Sequence, residues 1–180
     1  LSYSRKESYN MKYVLALIVV IVAIVLIRAL SLKPTEAKEA KIVLDNSGRS
    51  VEYGKRLSKL IQKETISYKN QTDISKFLAF HEQLETLFPL IHKTCEKVVL
   101  DGSLLFKWSS NGNHEPILFM SHHDVVEAGG VWEHEPFSGD IDETGRVWGR
   151  GTVDTKASLF CMLQAVEELI EAGHQPECDV

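Results

Sequence analysis

The hydrophobic positions change period three times along the chain. Residues 13–27 read YVLALIVVIVAIVLI, an unbroken apolar run with no charge and no polar face. Arg28 interrupts it, and Ala29, Leu30, Ser31 and Leu32 complete a stretch of 20 residues over 13–32. As a helix this stretch would be roughly 30 Å long, the thickness of a bilayer core. Arg28 sits near one end, where its stem can reach the headgroups. Arg5, Lys6 and Lys12 precede the run. Positive charge on that side predicts a cytoplasmic N-terminus and an extracytoplasmic chain after residue 32. The competing expectation is a cleaved signal sequence, with Lys12 as its basic region, 13–27 as its apolar region and Ala29-Leu30-Ser31 as the small-residue site, leaving a secreted product. Met11 stands directly before the basic and apolar stretch and reads as the start residue, with residues 1–10 upstream of it.

Residues 33–41 are small, polar and charged, and the segment 33–49 predicts a linker. From residue 50 the pattern is that of a folded domain. Val51, Leu57, Leu60 and Ile61 lie between Lys and Glu at helical spacing, and residues 64–70 read as a loop. Ile74, Phe77, Leu78, His81, Leu84, Leu87 and Phe88 follow close to i, i+3, i+4 spacing, with Thr72 or Asp73 as the cap and Pro89 as the stop. His81 lies on that apolar face and reads as a core histidine rather than a ligand. The period then shortens. Residues 97–100 and 104–108 flank Asp101-Gly102, a two-residue hairpin signal. Residues 116–121 (PILFMS) predict a strand buried on both faces. Residues 146–148 predict a short strand, 159–170 an amphipathic helix stopped at Gly173, and 178–180 the beginning of another strand. Helices, hairpin, buried strand and helix together predict a layered α/β domain, of which 50–180 reads as the N-terminal part.

Composition narrows the function. The 180 residues are 44% hydrophobic and 25% charged, with 20 Lys and Arg against 25 Asp and Glu, a net charge of −5. These are globular values, which exclude a disordered or collagen-like chain. There is no basic stripe, so binding to nucleic acid through phosphate neutralisation is not expected. Cys95, Cys161 and Cys178 form no C-x-x-C pair, which removes a thiolate zinc knuckle and a thioredoxin-like site.

Three segments carry candidate chemistry. SHHDVV (121–126) leaves the apolar run directly. His122 and Asp124 are two apart, so in extended backbone they project to one side, and His123 projects to the other. An imidazole can bind a metal while a neighbouring carboxylate orients it, although a solvent-exposed polar strand end would look the same. GRGTVDTK (149–156) supplies two glycines for an unusual backbone path and then Asp154 just before a helix. Asp154 is placed either to cap that helix or to bridge two metal ions. Between them, Glu133, His134 and Glu135 are ligand-type residues in a loop that reads as solvated and pinned by Trp132 and Phe137.

The order S-H-x-D-V-V, then W-x-x-x-P-F-S-G, then G-R-G-T-x-D-x-K before a helix resembles the zinc metallopeptidase and deacylase family. That family includes carboxypeptidase S, the aminoacylases, acetylornithine deacetylase and succinyl-diaminopimelate desuccinylase, and the wording is nearest its carboxypeptidase S-like branch. The resemblance is specific over about 117–169. It implies a mixed, mostly parallel sheet flanked by helices, to which the apolar run at 13–32 adds a preceding transmembrane helix. It implies two Zn²⁺ ions, with His122 a ligand of one, Asp154 bridging both, and Asp124 the catalytic-support aspartate. His123 falls on the family's variable position, and Ala157-Ser158 replaces glycines found in many relatives. The Glu-Glu pair that provides the general base, a further acidic ligand and a histidine ligand have no counterpart in the chain. Glu167-Glu168 comes too soon after Asp154 and reads as a pair of solvated helix residues.

The resulting expectation is hydrolysis of a peptide or N-acyl amino acid amide by a two-zinc-activated water, in a complete protein that dimerises through a domain beyond residue 180. The 180 residues themselves would be inactive. The alternatives are a membrane-tethered, non-catalytic binding module and a single-metal hydrolase using His134 as a second ligand.

Overall fold

A computed structural model describes residues 2–32 and 48–180, with side chains for 12–32 and 48–180. The chain divides into two units, 1–44 and 45–180. The first holds one helix, α1 (Ser2–Ser31). Its segment Lys12–Ser31 has a mean hydropathy of 3.0 and is long and apolar enough to cross a membrane, a property that signal sequences share. The expected linker lies outside the described residues except for its last two positions, which open the next helix.

The second unit mixes helices and strands in the order α2 (Gly48–Ile61), α3 (Ser75–Leu87), α4 (Pro89–Thr94), β1 (Glu96–Leu100), β2 (Ser103–Lys107) and α5 (Lys156–Glu171). Helix α3 buries Phe77, Phe80, Leu84 and Leu87, the stripe that its sequence spacing predicts. Leu60 of α2, Phe160 of α5, and Phe88, Ile91, Cys95 and Trp108 complete the core around Phe80, Leu84 and Leu87. Fully burying a ring such as Phe80 is worth roughly 1.5–3 kcal/mol, and helix-on-helix contact of this kind holds α2–α5 together. Asp73 accepts the Ser75 N–H at 2.9 Å, so it steadies the entry to α3 from just outside the cap position. β1 and β2 pair antiparallel around Asp101-Gly102, with Asp101 at φ +51°.

One sequence expectation is extended and three are corrected. Pro89 ends α3 but also opens α4, because a proline lacking an N–H is well suited to the first helical position. Residues 116–121 are not a buried strand: Leu118, Phe119 and Met120 are 62–80% exposed. A strand covered on both faces needs ladder partners at both edges, and among the described residues the backbone bond of this run is Ile117 N–H to the Asp179 carbonyl, 2.9 Å. Residues 146–148 contribute a single antiparallel bridge, Ile141 to Val147, rather than a strand. The described sheet is the β1–β2 hairpin, and parallel pairing is limited to the isolated bridges Ile66–Val125 and His114–Cys178.

The third correction concerns Glu167 and Glu168. Glu167 is buried, and its two carboxylate oxygens accept the N–H groups of Leu90 and Ile91, each at 2.9 Å. It lies seven residues after Phe160 and three after Gln164, on the buried stripe of α5. Because Pro89 has no N–H, Leu90 and Ile91 carry the first free donors of α4, and a carboxylate also suits a helix N-terminus. Glu168 meets Arg49, Tyr53 and Gln164. Replacing Glu167 with Ala in the full-length protein is expected to cost roughly 2–4 kcal/mol, since two buried donors lose a charged acceptor. Urea unfolding checks this. A cost below about 0.5 kcal/mol, the size of an ordinary surface change, would return Glu167 to a solvated role.

Candidate metal centre

Two segments distant in sequence meet at the site. The first, 121–126, lies beside 65–67. The Val125 N–H donates to the Thr65 carbonyl at 2.9 Å, and the Ser67 N–H donates to the Val125 carbonyl at 3.0 Å. The second is the turn 149–155. Gly149 at φ +143° and Gly151 at φ +90° take backbone paths that L-residues rarely adopt. The Arg150 N–H is tied to the Pro136 carbonyl at 2.7 Å, and the Lys156 N–H to the Gly151 carbonyl at 2.9 Å. The Asp154–Thr155 peptide is cis.

The turn presents Asp154 to His122. The His122 Nε2 lies 3.1 Å from Asp154 Oδ1, across 32 positions of sequence. On the other side of the ring, Nδ1 lies 3.0 Å from the Asp124 carbonyl and 3.2 Å from Asp124 Oδ1. Asp124 Oδ2 in turn accepts the Ser67 hydroxyl at 2.6 Å. Asp154 makes no capping bond to α5, whose cap position is Thr155, and its side chain is 87% exposed. The three residues line a cavity of about 320 Å³ together with Arg150, Val126 and Val153. The Arg150 guanidinium sits over the Trp132 ring and donates to the Glu127 carbonyl, which ties the following loop to the glycine turn.

Electrostatics follow from these contacts. Burial works against a charged His122 ring. The Asp124 carbonyl, the Asp154 hydrogen bond and the charges of Asp124 and Asp154 outweigh it, so His122 titrates above the usual histidine range. The Ser67 hydrogen bond, followed by the charge of His122, holds Asp124 below the usual carboxylate range.

His123 points away from the cavity. Its ring stacks on Phe80 with centroids 5.0 Å apart, and meets Phe77 and His81 edge-on. Burial, reinforced by the neighbouring His81, pushes its pKa down to about 4. His81 donates to the Gly102 carbonyl at 3.1 Å, a satisfied core histidine. His134 stacks on Trp148 with its Nδ1 3.3 Å from Asp140, and it does not line the His122 cavity.

The donors fit part of a metal centre. An imidazole nitrogen and a carboxylate converge on open space, and the second ring nitrogen faces the carboxylate of Asp124, as in carboxylate–histidine–metal arrangements. Among the described residues no group of three or more His, Cys, Asp or Glu is gathered as a ready-made cage. The sequence carries no periodic signal for Ser67. Nor does it signal Lys156, which is fully buried and donates to the Leu60 and Lys63 carbonyls at 3.1 and 2.6 Å. That ammonium closes the C-terminal end of α2 and anchors the turn bearing Asp154. Burial lowers its pKa to about 8.

Residues 118–180 match the peptidase family M20/M25/M40. The chain is 37% identical over 135 residues to the probable carboxypeptidase S-like 2 of Dictyostelium discoideum, covering 71% of the chain and 26% of that protein. It is 36% identical over 129 residues to carboxypeptidase S of Saccharomyces cerevisiae, covering 67% of the chain and 22% of that protein. An N-fatty-acyl-amino acid synthase/hydrolase of Xenopus tropicalis is 32% identical over 169 residues, or 88% of the chain and 33% of that protein. The chain thus spans about a quarter of the length of the curated relatives it matches.

Proposed function

The chain belongs to peptidase family M20/M25/M40, and from that premise we propose that the complete protein is a zinc-dependent hydrolase of peptide or N-acyl amino acid amides. The observation that carries this reading is the meeting of His122 and Asp154 at 3.1 Å on one cavity wall. In it, His122 and Asp154 would hold the metal, His122 as an imidazole ligand and Asp154 as a carboxylate ligand. Zinc held there would supply an acidified water molecule and polarisation of the amide carbonyl. Asp124 holds the His122 ring through Nδ1, keeps Nε2 aimed at the cavity and raises the basicity of the ligand. Ser67 fixes Asp124 in turn, with its hydroxyl 2.6 Å from the carboxylate. Val126 and Val153 contribute exposed apolar side chains to the cavity lining.

His122 and Asp154 fall short of the roughly three protein ligands that a zinc ion usually takes. The remaining ligands and the general base belong to sequence outside these 180 residues, which by themselves are inactive. The mostly parallel catalytic sheet, the dimer interface and the extracytoplasmic site of an anchored enzyme are part of the same proposal.

Metal removal tests it. Chelation of the full-length protein is expected to lower hydrolysis of N-acyl amino acids and short peptides at least about 100-fold, and added Zn²⁺ to restore it. Metal analysis is expected to find about two zinc ions per chain. A protein that contains no zinc and hydrolyses at an undiminished rate after chelation would overturn the reading.

A further inference from the structure

We propose that His123 is the positioning residue of this site, setting the direction in which its neighbours His122 and Asp124 face the cavity. The inference rests on the metal-site reading above and adds to it a residue with no contact to metal or substrate.

In extended backbone, consecutive side chains point to opposite sides, so fixing the middle one fixes the rotation of both neighbours. His123 is fixed on several sides. Its ring lies nearly parallel to Phe80, at 8°, with centroids 5.0 Å apart. Phe77 and His81 close the slot edge-on at 5.6 and 5.5 Å. All three belong to α3. The Gly102 carbonyl at the tip of the β1–β2 hairpin accepts from the His81 ring, which holds that wall of the slot in place. The His123 carbonyl accepts the buried Thr65 hydroxyl. Helix α3 and segment 65–67 therefore both act on one residue, with the hairpin tip steadying His81 behind it, and that residue stands between two groups that face the opposite way.

Rotation matters because the site is open. His122 and Asp124 have side chains 52% and 46% exposed, so little packing on the cavity side holds them. Their aim has to come from behind. A small rotation of the segment would swing the His122 ring away from Asp154 and loosen the Nδ1 contact with Asp124. The expected loss is at the lower end of the roughly 10–100-fold that removing a supporting contact costs in metal affinity.

The test uses the full-length protein and three variants, His123→Ala, His123→Phe and Phe80→Leu. Zinc affinity is measured by competition with a chromogenic chelator. The His122 imidazole ¹⁵N shifts are recorded in metal-free protein, where they report the Nδ1 contact with Asp124. His123→Ala is expected to weaken zinc binding about 10-fold, to shift the His122 signals, and to lower kcat with KM within about twofold. His123→Phe, which keeps the ring in the slot, is expected to recover affinity to within about threefold of wild type. Phe80→Leu keeps apolar volume but removes the stacking partner, and is expected to weaken zinc binding about threefold, an outcome that serves if the alanine variant fails to fold. Zinc affinity and His122 shifts unchanged in His123→Ala would overturn the proposal, as would a phenylalanine variant no better than alanine or a Phe80→Leu variant with wild-type affinity. These results differ from failure of the metal-site reading, in which the wild-type protein itself would bind no zinc.

Discussion

Asp154→Asn in the full-length protein is expected to lower kcat/KM for amide hydrolysis by about 10³-fold or more, while the unfolding midpoint stays close to wild type. The two halves of this result have separate physical origins. Asparagine preserves shape and can still meet the His122 ring, but its neutral amide offers one oxygen and no charge to a pair of cations. Losing a bridging ligand removes stabilisation of charge in the transition state, and three decades correspond to about 4 kcal/mol. Stability is spared because the Asp154 side chain is 87% exposed and forms no cap on α5. His134→Ala serves as the contrast. His134 is committed to Trp148 and Asp140 and does not line the cavity, so that variant is expected to retain zinc and activity within about twofold. If Asp154→Asn kept activity within tenfold, or if His134→Ala lost zinc, the assignment of ligands would fail.

The sequence spoke most clearly where a single period governs a segment. Phe77, Phe80, Leu84 and Leu87 repeat at helical spacing and are the buried face of α3, and Asp101-Gly102 sits at the tip of the hairpin. It spoke misleadingly where composition and environment diverge. Residues 116–121 are apolar yet exposed, because apolar character states a preference for burial without supplying the neighbours that provide it. Glu167 shows the opposite failure. Counting from Phe160 and Gln164 puts it on the buried stripe of α5, but its charge argued for solvent, and its partners are backbone donors 76 and 77 positions away. No local pattern encodes such a pairing.

The candidate site divides the same way. His122 and Asp124 were legible as two groups on one side of an extended segment, and His123 as the group on the other, because strand geometry is local. Whether Asp154 would cap its helix or reach His122 was open on spacing alone, and the fold puts it against His122. Ser67 and Lys156 were invisible as supports, since each acts through a contact whose partner lies far along the chain.

Gly149→Ala is expected to cost roughly 3–5 kcal/mol of stability and to reduce activity with it. A Cβ at Gly149 would stand 2.4 Å from Ile61 Cγ2 and 2.8 Å from the Pro136 carbonyl oxygen. Neither neighbour is free to yield. Ile61 is fully buried at the end of α2, and the Pro136 oxygen holds the Arg150 N–H at 2.7 Å. Relief would require opening that hydrogen bond or displacing α2, and either movement shifts the turn that carries Asp154. The backbone adds its own penalty, since φ is +143° at this glycine, where a side chain is strained by roughly 1–3 kcal/mol. Gly130 separates the two contributions. It also has positive φ, +85°, but nothing lies within 4 Å of its added Cβ. Gly130→Ala should therefore register the backbone cost alone, roughly 1–2 kcal/mol. Urea unfolding of the two variants checks the difference. Equal losses would mean that the close approach at Gly149 relaxes without penalty, and that the glycine serves backbone freedom only.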